Sequence, residues 1–99
     1  METKRARKRR LAVAKAELLT QMEPQLAQID AHLPPDLRIR EMMHSVIDYG
    51  FTLPDEKARV FLNTVARGLQ EIGQATWTQS LDKIRDARTR LRALCPDRN

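Results

Sequence analysis

The chain has 99 residues, of which 41% are hydrophobic and 31% charged, and this size allows a single domain with one modest core. Its mean hydropathy of −0.56 and the lack of any run of about 18 apolar residues exclude a membrane-spanning segment. Cys95 is the sole cysteine, which excludes an internal disulfide and favours a reducing compartment, the cytoplasm.

The formal net charge of +5 is unevenly distributed along the chain. Residues 1–15 hold seven Lys or Arg against one acid, residues 16–75 hold five against nine, and residues 76–99 hold six against three. Both ends are therefore basic around an acidic middle. This asymmetry points to a polyanionic partner or to self-association.

The first predicted helix begins within residues 3–9 and ends before Pro34. Its apolar residues recur at steps of three and four and form what we call the first-helix seam: Leu19, Met22, Leu26, Ile29 and Leu33. Pro24 interrupts the seam without changing its phase, so we expect one long helix that is kinked near Pro24. The seam is longer than so small a core needs, and it therefore predicts a partner interface, either in a homodimer or with another protein.

The first ten residues are predicted to form a basic flexible arm, because like charges three and four positions apart repel one another on a helix. The cations expected to bind a polyanion here are Lys4, Arg5, Arg7, Lys8, Arg9, Arg10 and Lys15. On nucleic acid they would neutralise phosphates without reading bases, since no Asn, Gln or aromatic residue is interleaved with them. An acidic protein surface is the main alternative partner. Contact with a membrane surface and, in a eukaryotic host, a nuclear-import signal are further alternatives.

The second predicted helix covers about residues 37–49, with Asp36 as its N-cap and Gly50 as its left-handed C-terminal residue. Its apolar face consists of Ile39, Met42, Met43, Val46 and Ile47. Glu41 and His44 have the Glu-x-x-His spacing found in di-metal helical bundles. The sequence offers no second pair of this kind, so we expect a solvated helix face and no metal.

The remaining apolar pattern predicts an antiparallel helical hairpin that supplies half of the core. Its first helix is expected over about residues 54–72 with Thr52 as the cap, and its second begins at a capping box formed by Thr76 and Gln79 after a loop at residues 73–75. The expected core residues of the hairpin are Ala58, Phe61, Leu62, Val65, Ala66, Leu69 and Ile72, followed by Trp77, Leu81, Ile84, Leu91 and Leu94.

The last predicted helix carries arginines beside its apolar face. Arg85 and Arg92 flank this face, and Arg88 falls inside it. One interpretation is that their stems cover the margin of the core while the charged groups stay in water. The other is a basic surface that binds phosphates or a partner's carboxylates.

Together these patterns predict an all-α protein, a compact bundle of about four helices, with a flexible arm at residues 1–10, a helical domain at residues 11–95 and a tail at residues 96–99. The sequence has no glycine-rich phosphate loop, nucleophile elbow or zinc-ligand spacing, so we expect no enzymatic activity and no cofactor. Cys95 follows a helix C-terminus, whose dipole disfavours a reactive thiolate.

The expected function is a nucleic-acid-associated regulator or accessory factor that binds through the arm and the last helix. The alternative is an adaptor or an accessory subunit of a larger protein complex.

Overall fold

A computed structural model describes residues 1–96 of the chain. These residues form four α-helices and one 3₁₀ turn, and no β-strand occurs among them. The elements in chain order are α1 (Lys4–Ala31), the 3₁₀ turn (Pro35–Leu37), α2 (Arg40–Gly50), α3 (Asp55–Trp77) and α4 (Leu81–Ala93). The predicted all-α bundle of about four helices is confirmed. Apart from Pro96, the predicted tail lies outside the described residues.

The bundle is elongated because α1 is longer than the body that packs against it. The protein measures 49 × 27 × 23 Å, and its radius of gyration of 14.5 Å compares with about 13 Å for a compact domain of this size. With a rise of about 1.5 Å per residue, the 28 residues of α1 span about 42 Å. The fully buried residues of α1 are Leu26 and Ile29, both in its C-terminal half. The N-terminal half of α1 is therefore less deeply buried than its C-terminal half.

The core is built from one face of each helix and from the segment that joins α1 to α2. Its buried apolar residues are Leu26, Ile29, Leu33, Leu37, Ile39, Met43, Val46, Ile47, Val65, Leu69, Ile72, Ala75, Ile84, Ala87 and Leu91. Burial of each large apolar side chain stabilises the fold by roughly 1.5–3 kcal/mol. The structure thus buries most of the apolar face that the sequence predicts for α2, while Met42 is half-buried.

The first-helix seam is part of this core, which corrects its interpretation as a partner interface. Leu26, Ile29 and Leu33 are no more than 5% exposed, and Leu19 and Met22 are half-buried against the same cluster. Other parts of the same chain cover the seam: α2 packs along α1, and Gly73 of α3 lies beside Ile29. The surplus of apolar surface that suggested a homodimer is therefore absent along these residues.

α1 runs through Pro24 without a break, so the prediction of one helix across the proline is confirmed. Proline cannot donate a backbone hydrogen bond, which removes one bond of the helical ladder at this point. Burial of Leu26 and Ile29 in the following turns holds the helix together beyond it. The kink itself stays a prediction.

The start of α2 differs from the sequence prediction because its cap comes from α1. The carboxylate of Asp30 accepts hydrogen bonds from the backbone N–H of Ile39 at 2.7 Å and of Arg40 at 3.2 Å. These are N–H groups at a helix N-terminus, which have no partner within the helix itself. Asp36, the predicted N-cap, lies instead in the 3₁₀ turn. The α-helix begins later than predicted for this reason.

The junction between α2 and α3 also uses its residues differently from the prediction. Gly50 is helical, with no positive φ, and a Cβ there would lie 2.8 Å from Cδ1 of Phe61. Glycine is therefore required by close packing and not by a left-handed conformation. The Thr52 hydroxyl donates to the Tyr49 carbonyl at 2.6 Å, so it closes α2, and Pro54 occupies the N-cap of α3.

The loop predicted at residues 73–75 is wrong, since α3 continues to Trp77. Gly73 is helical and buried, and Ile72 and Ala75 beside it lie in the core. Thr76 is not a helix cap: its side chain is buried, and its hydroxyl donates to the Ile72 carbonyl at 2.7 Å. Burial of this stretch outweighs the helix-weakening effect of a single glycine, which is about 1 kcal/mol.

α3 ends in a Schellman motif that turns the chain into α4. The Ser80 N–H donates to the Ala75 carbonyl at 2.8 Å, and the Gln79 N–H donates to the Thr76 carbonyl at 3.1 Å. Such motifs place a left-handed residue just beyond the helix, usually glycine. Here that residue is Gln79, with φ of 58°.

The later position of this turn changes which residues of the hairpin are buried. Trp77 and Leu81 are 52% and 46% exposed, so their prediction as core residues is wrong. Ala66 is exposed as well. Ile84 and Leu91 are buried as predicted, and Leu91 packs α4 against Gly68 of α3.

Alanine at Gly68 and at Gly73 should change stability in opposite directions. A Cβ at Gly68 would lie 2.6 Å from Cδ2 and 2.9 Å from Cγ of the buried Leu91, so Gly68→Ala should lower the free energy of unfolding by roughly 1–2 kcal/mol. A Cβ at Gly73 would meet Ile29 Cδ1 at 3.8 Å, so Gly73→Ala should raise it by about 0.5–1 kcal/mol. Urea unfolding of both variants measures the two signs. Two changes in the same direction would contradict the packing described.

Gln79→Gly should stabilise the turn between α3 and α4. A side chain at a left-handed φ of 58° costs roughly 1 kcal/mol, part of which the greater chain entropy of glycine offsets. We expect Tm to rise by about 2–5 °C in a thermal melt. Gln79→Ala is the control, because it removes the amide but keeps the Cβ, and it should leave Tm nearly unchanged. Equal Tm values for the two variants would show that the backbone conformation is not the cause.

Candidate functional site

The basic segment predicted as a flexible arm forms the first turns of α1. The Thr3 hydroxyl accepts a hydrogen bond from the Ala6 N–H at 3.0 Å and caps the helix, which begins at Lys4. The ion pair of Arg10 with Glu2 within the same segment offsets part of the repulsion between its cations. The helix therefore begins within the predicted range of residues 3–9, while the mobility of the arm stays a prediction.

Two arginines of this segment are engaged by acids of the same chain. Arg7 Nη2 lies 2.8 Å from Asp55 Oδ1, and Arg10 Nη2 lies 3.4 Å from Asp55 Oδ2. Arg10 also donates from Nε to Glu2 Oε2 at 2.9 Å. The hydrogen bond from Arg7 holds the pKa of Asp55 below its usual value, and the bond from Arg10 does the same for the pKa of Glu2. These contacts fix the start of α1 beside the start of α3.

The other cations of the segment divide into one that is paired and four that are not. Lys15 Nζ lies 3.2 Å from Asp48 Oδ1 on α2. The four exposed cations with no ion pair or hydrogen bond from their side chains within the described residues are Lys4, Arg5, Lys8 and Arg9. At about 100° per residue these four lie within an arc of about 140° on α1, and Arg7 and Arg10 lie outside that arc. We call the four residues the free basic face.

The arginines predicted as binding residues on α4 contact a different part of the chain. Arg85 Nη2 lies 3.9 Å from Asp36 Oδ2, and Arg88 donates from Nε to the Arg38 carbonyl at 3.2 Å. Arg92 lines a groove beside α2. The 3₁₀ turn and Arg38 follow the C-terminus of α1, on the order of 35 Å along its axis from the free basic face. The structure therefore does not unite the two predicted groups of cations in one surface.

A groove of about 1140 Å³ lies between α2 and the C-terminal part of α4. Arg88 and Arg92 of α4 and Arg38 of the segment before α2 contribute cations to it. The α2 side contributes Arg40, Glu41, Met42, Ser45, Val46 and Asp48. Sequence reasoning missed this groove because its walls come from segments about 50 residues apart, as the Arg88–Arg38 hydrogen bond shows. The sequence feature that could have indicated the groove is Arg88, which falls within the apolar arc of the last helix and is followed one turn later by Arg92.

A second cluster that sequence reasoning missed joins α1 to α2 at the level of Pro24. Glu23 accepts a hydrogen bond from Arg40 Nε at 2.9 Å and contacts His44 Nε2 with its other carboxylate oxygen. The hydrogen bond from Arg40 is the main cause that lowers the pKa of Glu23, followed by that from His44. His44 was considered with Glu41 because of their spacing, yet its partner in the structure is Glu23.

Within residues 1–96 no group of three or more His, Cys, Asp or Glu side chains is placed to hold a metal ion. None of the described helices combines the length and the apolar character needed to cross a membrane. No protein-family model, curated protein or solved structure matches this chain. Function is therefore inferred from the surfaces described above.

In the Glu23→Gln variant, the free energy of unfolding should fall less on acidification than in the wild type. Because hydrogen bonds lower the pKa of Glu23 in the folded state, its carboxylate stabilises the protein above the unfolded pKa of about 4.3. This contribution is lost as the pH falls through the lower, folded pKa. The free energies of unfolding of the wild type and Glu23→Gln should therefore differ near pH 7 and converge towards about pH 3. A difference that stays constant over this range would exclude the ionised form of Glu23 as its source.

Proposed function

We propose that the protein is a small, non-enzymatic nucleic-acid-binding protein of the cytoplasm, a regulator or accessory factor, and that it contacts the phosphate backbone through the free basic face of α1. The observation that carries this proposal is that internal ion pairs engage some cations near the N-terminus and leave others without a partner. Arg7, Arg10 and Lys15 have acidic partners in the chain, whereas the four cations of the free basic face point their charges into solvent. Clustered exposed cations of this kind attract polyanions and release condensed counterions when they bind.

The dimensions of the free basic face suit a phosphate backbone. Lys4 and Arg9 are about 7.5 Å apart along the helix axis, and successive phosphates of one DNA strand rise by about 3.4 Å. Side chains as long as Lys and Arg can therefore reach several phosphates of one strand. Such contacts position a protein on nucleic acid without selecting a sequence.

Binding would also relieve a conflict within α1. Lys4 and Lys8, and likewise Arg5 and Arg9, are like charges four residues apart, an arrangement that destabilises a helix by a few tenths of a kcal/mol per pair. We propose that the first turns of α1 fray in the free protein and become ordered when phosphates neutralise them. A bend at Pro24 would set the orientation of this part of the helix relative to the rest of the bundle.

Two parts of the sequence-based hypothesis receive less support. Arg85 pairs with Asp36, and Arg88 lies near the opposite end of α1 from the free basic face, so we assign them no leading role on nucleic acid. The first-helix seam lies in the core and no longer argues for a homodimer. The alternative function, an adaptor or an accessory subunit of a larger complex, is favoured by a different observation, the groove between α2 and α4.

A quadruple variant tests the proposed interface. Four phosphate contacts predict a log–log salt slope of about −3.6 on duplex DNA, which is roughly a 100-fold loss of affinity between 50 and 200 mM salt. Replacement of the whole free basic face by glutamine (Lys4→Gln, Arg5→Gln, Lys8→Gln and Arg9→Gln) should bring this slope towards zero. Fluorescence anisotropy with labelled duplex DNA and with labelled RNA, at several salt concentrations, provides the measurement.

A control variant separates local contacts from net charge. Lys57→Gln, Arg59→Gln, Arg67→Gln and Lys83→Gln together remove the same charge from exposed positions outside α1 and should leave most of the slope intact. Asp55→Asn should have the opposite effect and steepen the slope, because it releases Arg7 and lessens the restraint on Arg10. Wild-type protein that binds neither DNA nor RNA at low salt would refute the proposed function. If the test and control variants lose the salt dependence of binding to the same extent, the assigned interface is refuted.

A further inference from the structure

We infer that the groove between α2 and α4 binds an acidic, amphipathic helical segment of a partner protein. The groove is open and its volume of about 1140 Å³ lies beyond the 300–1,000 Å³ of typical small-molecule pockets. It combines cations with apolar side chains along two helices. This combination suits a peptide helix that presents both carboxylates and apolar residues.

The charges that line the groove are not equally available to a ligand. The Asp30 carboxylate is engaged by the start of α2, Asp48 pairs with Lys15, and Arg40 pairs with Glu23. Within the described residues, the charged lining side chains with no ion-pair partner are Arg38, Arg88, Arg92, Glu41 and Asp30, the last of which accepts hydrogen bonds from backbone N–H groups. Three cations therefore face two carboxylates once the ion pairs are set aside, and the Asp30 carboxylate is already engaged by the start of α2. The groove is complementary to a ligand of net negative charge.

Arg88 is held in place before any ligand arrives. It is half-buried, and the hydrogen bond from its Nε to the Arg38 carbonyl links α4 to the segment that leads into α2. The terminal nitrogens of the guanidinium remain to bind a carboxylate. Arg92 follows on the same face of α4, since residues four apart are neighbours on a helix. A ligand helix with two carboxylates one turn apart would match these two arginines.

The apolar part of the groove distinguishes a peptide from nucleic acid. Met42 is half-buried and forms part of the lining together with Val46, Ala93 and Pro96. Methionine adapts its shape to apolar ligands, whereas phosphates gain nothing from such a surface. These features favour an acidic peptide over a polynucleotide.

This inference does not depend on the proposed nucleic-acid function. The free basic face lies on the N-terminal turns of α1, whereas the groove is lined by the segment before α2, by α2 and by the end of α4. One chain could therefore bind a nucleic acid and an acidic protein segment at the same time. Such a protein would connect the two, which unites the regulator and adaptor interpretations of the sequence.

The test uses the full chain and a defined probe. The probe is a fluorescein-labelled helical peptide of about 16 residues with leucine at positions i, i+3, i+4 and i+7 and glutamate at most other positions. Its binding is followed by anisotropy at about 0.15 M salt, where weak exposed charge contacts are largely screened. A scrambled peptide of the same composition has the same charge but no apolar face. We expect the amphipathic peptide to bind and the scrambled peptide to bind at least roughly tenfold more weakly.

Variants then locate the binding site. Arg38→Gln with Arg92→Gln should raise Kd by roughly tenfold or more, because both arginines line the groove. Arg59→Gln with Arg67→Gln removes the same charge from α3 and should leave Kd unchanged. Met42→Glu should also weaken binding while the fold, checked by circular dichroism, is retained.

Each result of this experiment decides the inference. The inference would be overturned if the amphipathic peptide does not bind or if the scrambled peptide binds equally well. It would also be overturned if the α3 control loses as much affinity for the peptide as the groove variant. If duplex DNA displaces the peptide that is bound to the quadruple α1 variant, the groove binds nucleic acid instead. If the quadruple α1 variant loses DNA binding but keeps peptide binding, the two sites are separate as inferred. Failure of DNA binding alone would leave the groove intact and refute the proposed function only.

Discussion

The contact of Asp30 with the start of α2 is the constraint on which the arrangement of the bundle depends. One carboxylate near the end of α1 accepts the backbone N–H groups of both Ile39 and Arg40. This fixes how the chain reverses after α1 and places Ile39, which is fully buried, at the base of the core. Arg40 then lies where its side chain pairs with Glu23 on α1. The same reversal brings Arg38 within reach of Arg88 and so forms one wall of the groove.

The electrostatic organisation of the surface follows from this packing. Acids of the middle segment engage basic residues near the N-terminus, as in the pairs of Asp55 with Arg7 and of Asp48 with Lys15. Exposed pairs such as these contribute little to stability, but they determine which cations remain available for a ligand. The consequence is two separate surfaces, the free basic face on α1 and the groove beside α4. They differ in chemistry because one consists of cations alone and the other joins cations to apolar side chains.

Glycines show why several boundaries could not be predicted from the sequence. Gly50 and Gly73 were both interpreted as helix ends, since glycine commonly follows a helix in the left-handed conformation. In the structure both are helical and buried. The left-handed position is taken by Gln79, a residue whose type gives no signal for it. Tertiary packing decided these positions: Gly50 admits Phe61, and the turns around Gly73 lie in the core.

The sequence by itself determined the helical class, the approximate number of helices and the uneven distribution of charge, because periodicity and composition act locally along the chain. It also determined that α1 passes through Pro24, since the seam keeps its phase. Only the tertiary structure decided that the seam is internal, that Trp77 and Leu81 are exposed, and which cations remain unpaired. Each of these properties depends on contacts between residues far apart in the chain, such as Arg7 with Asp55 and Arg88 with Arg38. Local patterns carry no information about such partners, because the partners meet only when the helices pack.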